Sequence, residues 1–241
     1  MKRIVVRAVL AAVLLSFVSF QPAQGQVLLG ILFGDKLASE RFHIGLNVGG
    51  NFADLSGIDG TKLKPGLMLG LVAEWKIAGN FYLQPELLPF YWAGAKSMPP
   101  AIEDAPPPLD TLLTDNSAQR NLNYFEIPVL VKYGALRNRL HVGAGPQVGF
   151  LLSATDVFNG VITREITVEE DIGDSLNSFD AGVAFHLEYK LRESPFAASL
   201  SARYYLGLTD IIKDNSGDAV YNRVLSVFGS IPIGGGPEEE E

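Results

Sequence analysis

Apolar and polar side chains alternate with period two along eight stretches of this 241-residue chain. That spacing predicts β-strands with two chemically different faces. The stretches are Arg41–Asn51, Lys64–Ile77, Phe81–Ala95, Leu122–Leu136, Leu140–Ser153, Ser178–Leu191, Phe196–Ile211 and Asn222–Ile233. The segments between them alternate in length. Phe52–Leu63, Lys96–Asn121, Ala154–Asn177 and Ile212–Tyr221 are medium or long. Ala78–Asn80, Arg137–Arg139 and Arg192–Pro195 are tight turns.

The charges show which face is which. In the second strand Leu67, Leu69, Leu71, Ala73, Trp75 and Ile77 oppose Gly66, Met68, Gly70, Val72, Glu74 and Lys76. In the third, Phe81, Leu83, Pro85, Leu87, Pro89 and Tyr91 oppose Tyr82, Gln84, Glu86, Leu88, Phe90 and Trp92. The fourth sets Phe125, Ile127, Val129, Val131 and Tyr133 against Tyr124, Glu126 and Lys132. The fifth sets Val142, Val148, Phe150 and Leu152 against His141, Gly143, Gly145, Gln147, Gly149 and Ser153. In the sixth, Val183, Phe185, Leu187 and Tyr189 oppose Asp180, His186, Glu188 and Lys190. In the seventh, Leu200, Tyr204 and Leu206 oppose Ser199, Ser201 and Arg203. Strands two to seven thus each carry one uncharged apolar face. A soluble barrel would have to bury the charged faces and bathe six greasy stripes in water, far more than soluble monomers tolerate. A membrane barrel does the reverse. The reading is an all-β, eight-stranded antiparallel up-and-down transmembrane β-barrel with long extracellular loops and short periplasmic turns.

Aromatic positions fall into two belts on the apolar face, as membrane interfaces select. Phe42, Trp75, Phe81, Tyr133, Tyr189 and Phe196 fall at the periplasmic end; Tyr91, Phe125, Phe150 and Phe179 fall at the outer end.

The N-terminus reads as an export signal. Lys2, Arg3 and Arg7 precede an apolar core, Ala8–Phe20, too short to span a bilayer as a helix. Ala23 and Gly25 place cleavage after Gly25. The resulting division is a signal peptide (1–25), a periplasmic N-terminal segment (26–40), the barrel (41–233) and an acidic tail (234–241).

Charge and composition narrow the chemistry. Nineteen Lys and Arg against 27 Asp and Glu give −8, which argues against a nucleic-acid partner. The absence of cysteine removes thiolate metal sites, disulfides and a Cys nucleophile. The three histidines, His43, His141 and His186, all fall at inward periplasmic-end positions, where they read as members of a lumen network. No catalytic, cofactor or metal site is expected, and Glu169, Glu170, Asp171 and Asp174 lack EF-hand spacing.

The segment Asn123-Tyr124-Phe125-Glu126-Ile127-Pro128-Val129-Leu130-Val131-Lys132-Tyr133 resembles the porin-like outer-membrane β-barrel family abundant in Bacteroidetes. Gly145-Pro146-Gln147-Val148-Gly149-Phe150, Phe179-Asp180-Ala181-Gly182 and Ala202-Arg203-Tyr204-Tyr205-Leu206-Gly207 extend the resemblance over roughly Arg41 to Ile233. It implies a small outer-membrane barrel and carries no catalytic residues. One departure stands out. Such barrels end in an aromatic residue on the last strand, whereas Phe228 is the last aromatic here and Pro232 should cut the closing strand short.

An eight-stranded barrel is just wide enough for its side chains to fill it. The inward polar set is Glu74, Lys76, Gln84, Glu86, Glu126, Lys132, His141, His186, Glu188, Lys190 and Arg203. Opposite charges there should pair and plug the lumen, since unpaired buried charge is costly. The glycines of the fifth strand should make room for large facing side chains. The expected role is structural or interactive. Expected partners are outer-membrane lipid (lipopolysaccharide), the barrel-assembly machinery and an extracellular partner of the loops. A small passive porin or ion channel is the first alternative, and a lipid-modifying enzyme the second. Within the third long loop, Val161–Val168 can prolong a hairpin beyond the membrane.

Overall fold

The computed structural model describes residues 41–98, 117–161, 165–194, 196–213 and 217–233, giving the backbone alone for 117, 158–161 and 165–168. The expected export signal, the 26–40 segment, the middle of the Lys96–Asn121 connection and the acidic tail lie outside the described residues.

The described residues form nine antiparallel strands: β1 (Phe42–Ser56), β2 (Lys64–Ala78), β3 (Phe81–Met98), β4 (Ser117–Ala135), β5 (Leu140–Val161), β6 (Glu165–Asp171), β7 (Phe179–Lys190), β8 (Ser199–Gly207) and β9 (Tyr221–Ile233). Eight of them close a ring in the order β1, β2, β3, β4, β5, β7, β8, β9, with β9 returning to β1. Closure satisfies the backbone of every ring strand on both sides, which a sheet in lipid requires. β6 pairs only with β5, above the point where β5 leaves β7. It is the predicted prolongation of the hairpin.

The outward faces are apolar. Trp75, Leu87, Phe185 and Leu200 are each about half exposed (54%, 47%, 51% and 58%). Glu74, Glu86, Glu188 and Arg203, on the opposite faces, are 1–5% exposed. Rings of the periplasmic belt pair across strands: Phe81 and Tyr133 lie 5.2 Å apart, in register on β3 and β4. At the outer end Phe150 meets Phe179 at 5.7 Å.

Three departures from the expected strands change the reading. In β3 a register shift lies between Leu88 and Tyr91. Pro89 and Phe90 both face outward, so Tyr91 turns into the lumen, 1% exposed, while Phe90 and Trp92 join the outer belt. The expected positions of Tyr91, Phe90 and Trp92 are therefore inverted. Proline cannot donate to a ladder, and a bulge is where a strand accommodates it. In β5 a shift opposite Asn123 and Tyr124 puts Ser153 outside instead of inside, and Ala154 and Asp156 face inward beyond it. The third departure is β9. Pro232 does not end it, because Pro232 pairs with Gly45 and Ile233 with Ile44 of β1. The β8 ladder has already stopped at Ser199 opposite Ser230, so Pro232 has only one neighbour to satisfy.

Several bounds also move: β3, β4 and β5 extend further outward, to Met98, from Ser117 and to Val161. β1 continues to Ser56, shortening the first loop, because its outer half pairs with β9 as far as Tyr221. The seventh ring strand is β8, Ser199–Gly207 rather than Phe196–Ile211; past Gly207 the chain folds inward, and Ile211 is fully buried.

Candidate functional site: the barrel lumen

The lumen is filled in layers. At its periplasmic end Lys132 of β4 bonds both Glu74 of β2 and Glu188 of β7, with its side chain wholly buried. Lys190 donates to the other Glu74 oxygen at 2.7 Å. Two carboxylates and two ammonium groups make a neutral set that spans the ring. Lys190 also lies 5.6 Å from the Tyr82 ring centre. This closed pairing is what lets four charges sit in a dry interior, where an unpaired one would be strongly destabilising.

The next layer joins β3 to β8. Arg203 grips Glu86 with both terminal nitrogens, one of them at 3.0 Å. Gln84 donates to one Glu86 oxygen at 2.6 Å and Asn47 to the other at 2.9 Å. The guanidinium lies 5.0 Å from the Phe228 ring centre. The fork geometry and the aromatic face are features a lysine could not reproduce. Phe228, the last aromatic of the chain, is thus a lumen residue, 2% exposed, and not a lipid-facing terminus.

Above this, Glu126 is 1% exposed and accepts a hydrogen bond from Gln147 at 3.2 Å. No cation among the described residues lies within ion-pair distance of it, so the expected pairing of opposite charges does not extend to Glu126. Gly149 faces it across the β4–β5 ladder. A Cβ at Gly149 would collide with the Glu126 carboxylate, and one at Gly143 would meet the Lys132 side chain. At Gly145 the close neighbour is instead the β4 backbone at Val129. Asp180 forms a further polar centre, accepting from Asn222 at 2.8 Å and from Thr209 at 2.6 Å.

The outer half of the lumen also holds an apolar cluster. Leu55, Met68, Leu88, Tyr91, Leu122 and Tyr124 pack there with Leu176, Ile211 and Val220 from the extracellular connections. Leu176 and Ile212 form a bridge that ties two of those connections together. Higher on the wall, Arg120 pairs with Asp156 at 2.7 and 2.9 Å.

The inward polar positions divide accordingly. Glu74, Lys132, Glu188 and Lys190 come together in one set; Gln84, Glu86 and Arg203 form a second; Glu126 stands apart with Gln147. Lys76 is half-buried at the periplasmic mouth and makes no ion pair among the described residues. The histidines are less well satisfied than expected. His43 Nε2 is 3.6 Å from Glu74, and His186 Nε2 is 3.7 Å from Glu188. Among the described residues neither ring nitrogen of His141 meets a hydrogen-bond partner, and Glu188 is the one group His186 Nε2 approaches. His141 instead packs edge-on against Tyr82 at 5.1 Å, because the ammonium and carboxylates beside it are already committed to one another. Sequence reasoning missed Asn47, Asn51, Asp180, Asn222 and Ser226 as network members; all are buried. Their inward parity on β1, β7 and β9 was the available signal.

Known proteins were compared with this sequence and fold. The search of curated proteins finds no match. Among solved structures, the attachment invasion locus protein Ail of Yersinia pestis, in complex with the heparin analogue sucrose octasulfate, aligns with TM-score 0.41 at 9% identity, covering 80% of this chain and 99% of that one. OprG from Pseudomonas aeruginosa aligns with TM-score 0.37 at 12% identity, covering 80% and 92%. CarO2 of Acinetobacter baumannii aligns with TM-score 0.35 at 8% identity, covering 78% and 99%. The family described as outer membrane protein beta-barrel domain matches residues 23–213, most of the chain. With that match, the chain belongs to the outer membrane protein β-barrel domain family.

Proposed function

We propose that this outer-membrane barrel is sealed along its axis and works through its surfaces, as a structural or interaction protein and not as an enzyme. The observation that carries this is Lys132, which binds carboxylates from β2 and β7 at once and so ties separate walls together across the lumen. A hydrated ion would have to break that neutral set and then pass the apolar packing around Leu88 and Leu122. The histidines lie inside the lumen, away from the outer rim where a lipid substrate would be met. Lipid, including lipopolysaccharide, would contact the apolar outer belt. The assembly machinery would read β9 without a terminal aromatic residue. An extracellular partner would meet the β5–β6 hairpin and the connections above the rim.

Single-channel recording tests the sealed reading. Protein folded in detergent, verified by the different gel mobility of unboiled and boiled samples, should give no steps in a planar bilayer. Reproducible steps would mean that the lumen charges line a conducting path. Export through residues 1–25 belongs to the same reading. Protein purified from outer membranes should begin at Gln26, and an intact Met1 would refute cleavage.

A further inference from the structure

At the periplasmic mouth the inward side chains do not fill the ring. A cavity of about 120 Å³ remains there, lined by Arg41, His43, Glu74, Lys76, Tyr82 and Lys190, with the turn residues Arg137 and Glu193 at its edge. Each water needs a small fraction of such a volume, so there is room for several waters or one small solute.

The charges around it do not balance. Both Glu74 oxygens are engaged, one by Lys132 and the other by Lys190 at 2.7 Å. Glu193 sits 4.0 Å from Arg137. That leaves Arg41 and Lys76 without an acidic partner among the described residues. Their approach is fixed by the backbone, since the Lys76 N–H donates to the Arg41 carbonyl at 2.8 Å. Two positive side chains are thus held side by side over a cavity whose floor is the saturated Glu74 set. The Tyr82 side chain completes the wall. Arg41 offers a planar fork and Lys76 a point charge, the pair of donors that suits an oxyanion.

We infer that this periplasmic vestibule is a binding site for a small doubly charged oxyanion of the phosphate class, held between Arg41 and Lys76. Two uncompensated cations call for two negative charges, and the wide mouth admits either inorganic phosphate or the phosphate of a small monoester. The two cations that hold the anion, Arg41 and Lys76, are not members of the Lys132 set, so the site does not depend on whether the lumen conducts.

The test is calorimetric titration of the full chain, folded in a nonionic detergent at low salt, with inorganic phosphate and with glycerol phosphate. Saturable one-to-one binding of either is expected. Lys76→Gln and Arg41→Gln should each weaken it about tenfold, the loss of one charge-assisted hydrogen bond. Lys76→Arg should retain it, and Lys62→Gln at the opposite mouth should leave it unchanged. Gel mobility verifies that each variant is folded. Tighter binding of the monoester would assign the site to a phosphorylated solute, and tighter binding of inorganic phosphate to the free ion. No saturable binding, or equal binding by Lys76→Gln, would overturn the inference. A final arm removes residues 234–241, which carry four glutamates. Binding that appears only after this deletion would overturn a solute ligand and give the vestibule to the chain's own tail; unchanged binding supports the solute.

Discussion

Lys132→Met should destabilise the folded barrel by about 3–5 kcal/mol, the usual penalty for orphaning a buried charge partner. The substitution keeps an unbranched stem out to Cε, with sulfur in place of Cδ, and removes the ammonium. Glu74 would retain Lys190, but Glu188 would lose its bonded cation and keep only His186 Nε2 at 3.7 Å. Two carboxylates that Lys132 now separates would face each other inside a wall of lipid. Urea unfolding in lipid vesicles, compared with wild type, measures the loss. Adding Glu188→Gln should recover part of it, because the second change removes the charge left alone. A single variant within about 0.5 kcal/mol of wild type, the range of ordinary surface substitutions, would mean that the layer contributes no more than a solvated patch.

Arg203→Met should have an effect of the same order, about 3–5 kcal/mol, because Glu86 would be left buried without the one cation bonded to it among the described residues. Gln84 and Asn47 would still donate to Glu86, so the carboxylate would be solvated by amides but not neutralised. Arg203→Lys should recover only part of the loss. It restores the charge but not the two-pronged contact. The same unfolding assay separates the three proteins. If Lys served as well as Arg, the fork would be incidental and net charge alone would hold this layer.

Much of this architecture was legible in the alternation of side chains. The outward parity of Leu67 through Ile77 and the inward parity of Glu74, Glu188 and Lys190 follow from period two alone, and the structure keeps both. Alternation is reliable only while the register is unbroken. Pro89 within the run Pro89-Phe90-Tyr91-Trp92 marks the break in β3, since three successive aromatics cannot all face lipid in an unbroken strand. The break in β5 has no such marker. It is set by pairing with β4, a long-range contact that no local window contains.

The apolar cluster in the outer half of the lumen escaped the sequence for a related reason. Met68 and Leu88 are inward by parity, yet each looks ordinary beside the charges of its own strand, and Leu55 falls in a segment that reads as a loop. They become a core only when Leu176 and Ile211 fold in from extracellular connections that have no periodicity of their own. The unpaired state of Glu126 was equally hidden. It depends on which cations reach it across the ring, and Arg203 is committed to Glu86.

The central claim is that the middle of the barrel is dry, and thiol accessibility tests it directly. The chain has no cysteine, so one introduced thiol reports alone. Ser226 lies in mid-lumen, fully buried, where its hydroxyl donates to Asn51 at 2.7 Å. Ser226→Cys in a folded, membrane-embedded barrel should resist a charged, water-soluble thiol reagent added to both sides, while Lys76→Cys in the vestibule reacts. Rapid labelling at position 226 with the barrel still folded would contradict a sealed lumen and show a water-filled path through the protein.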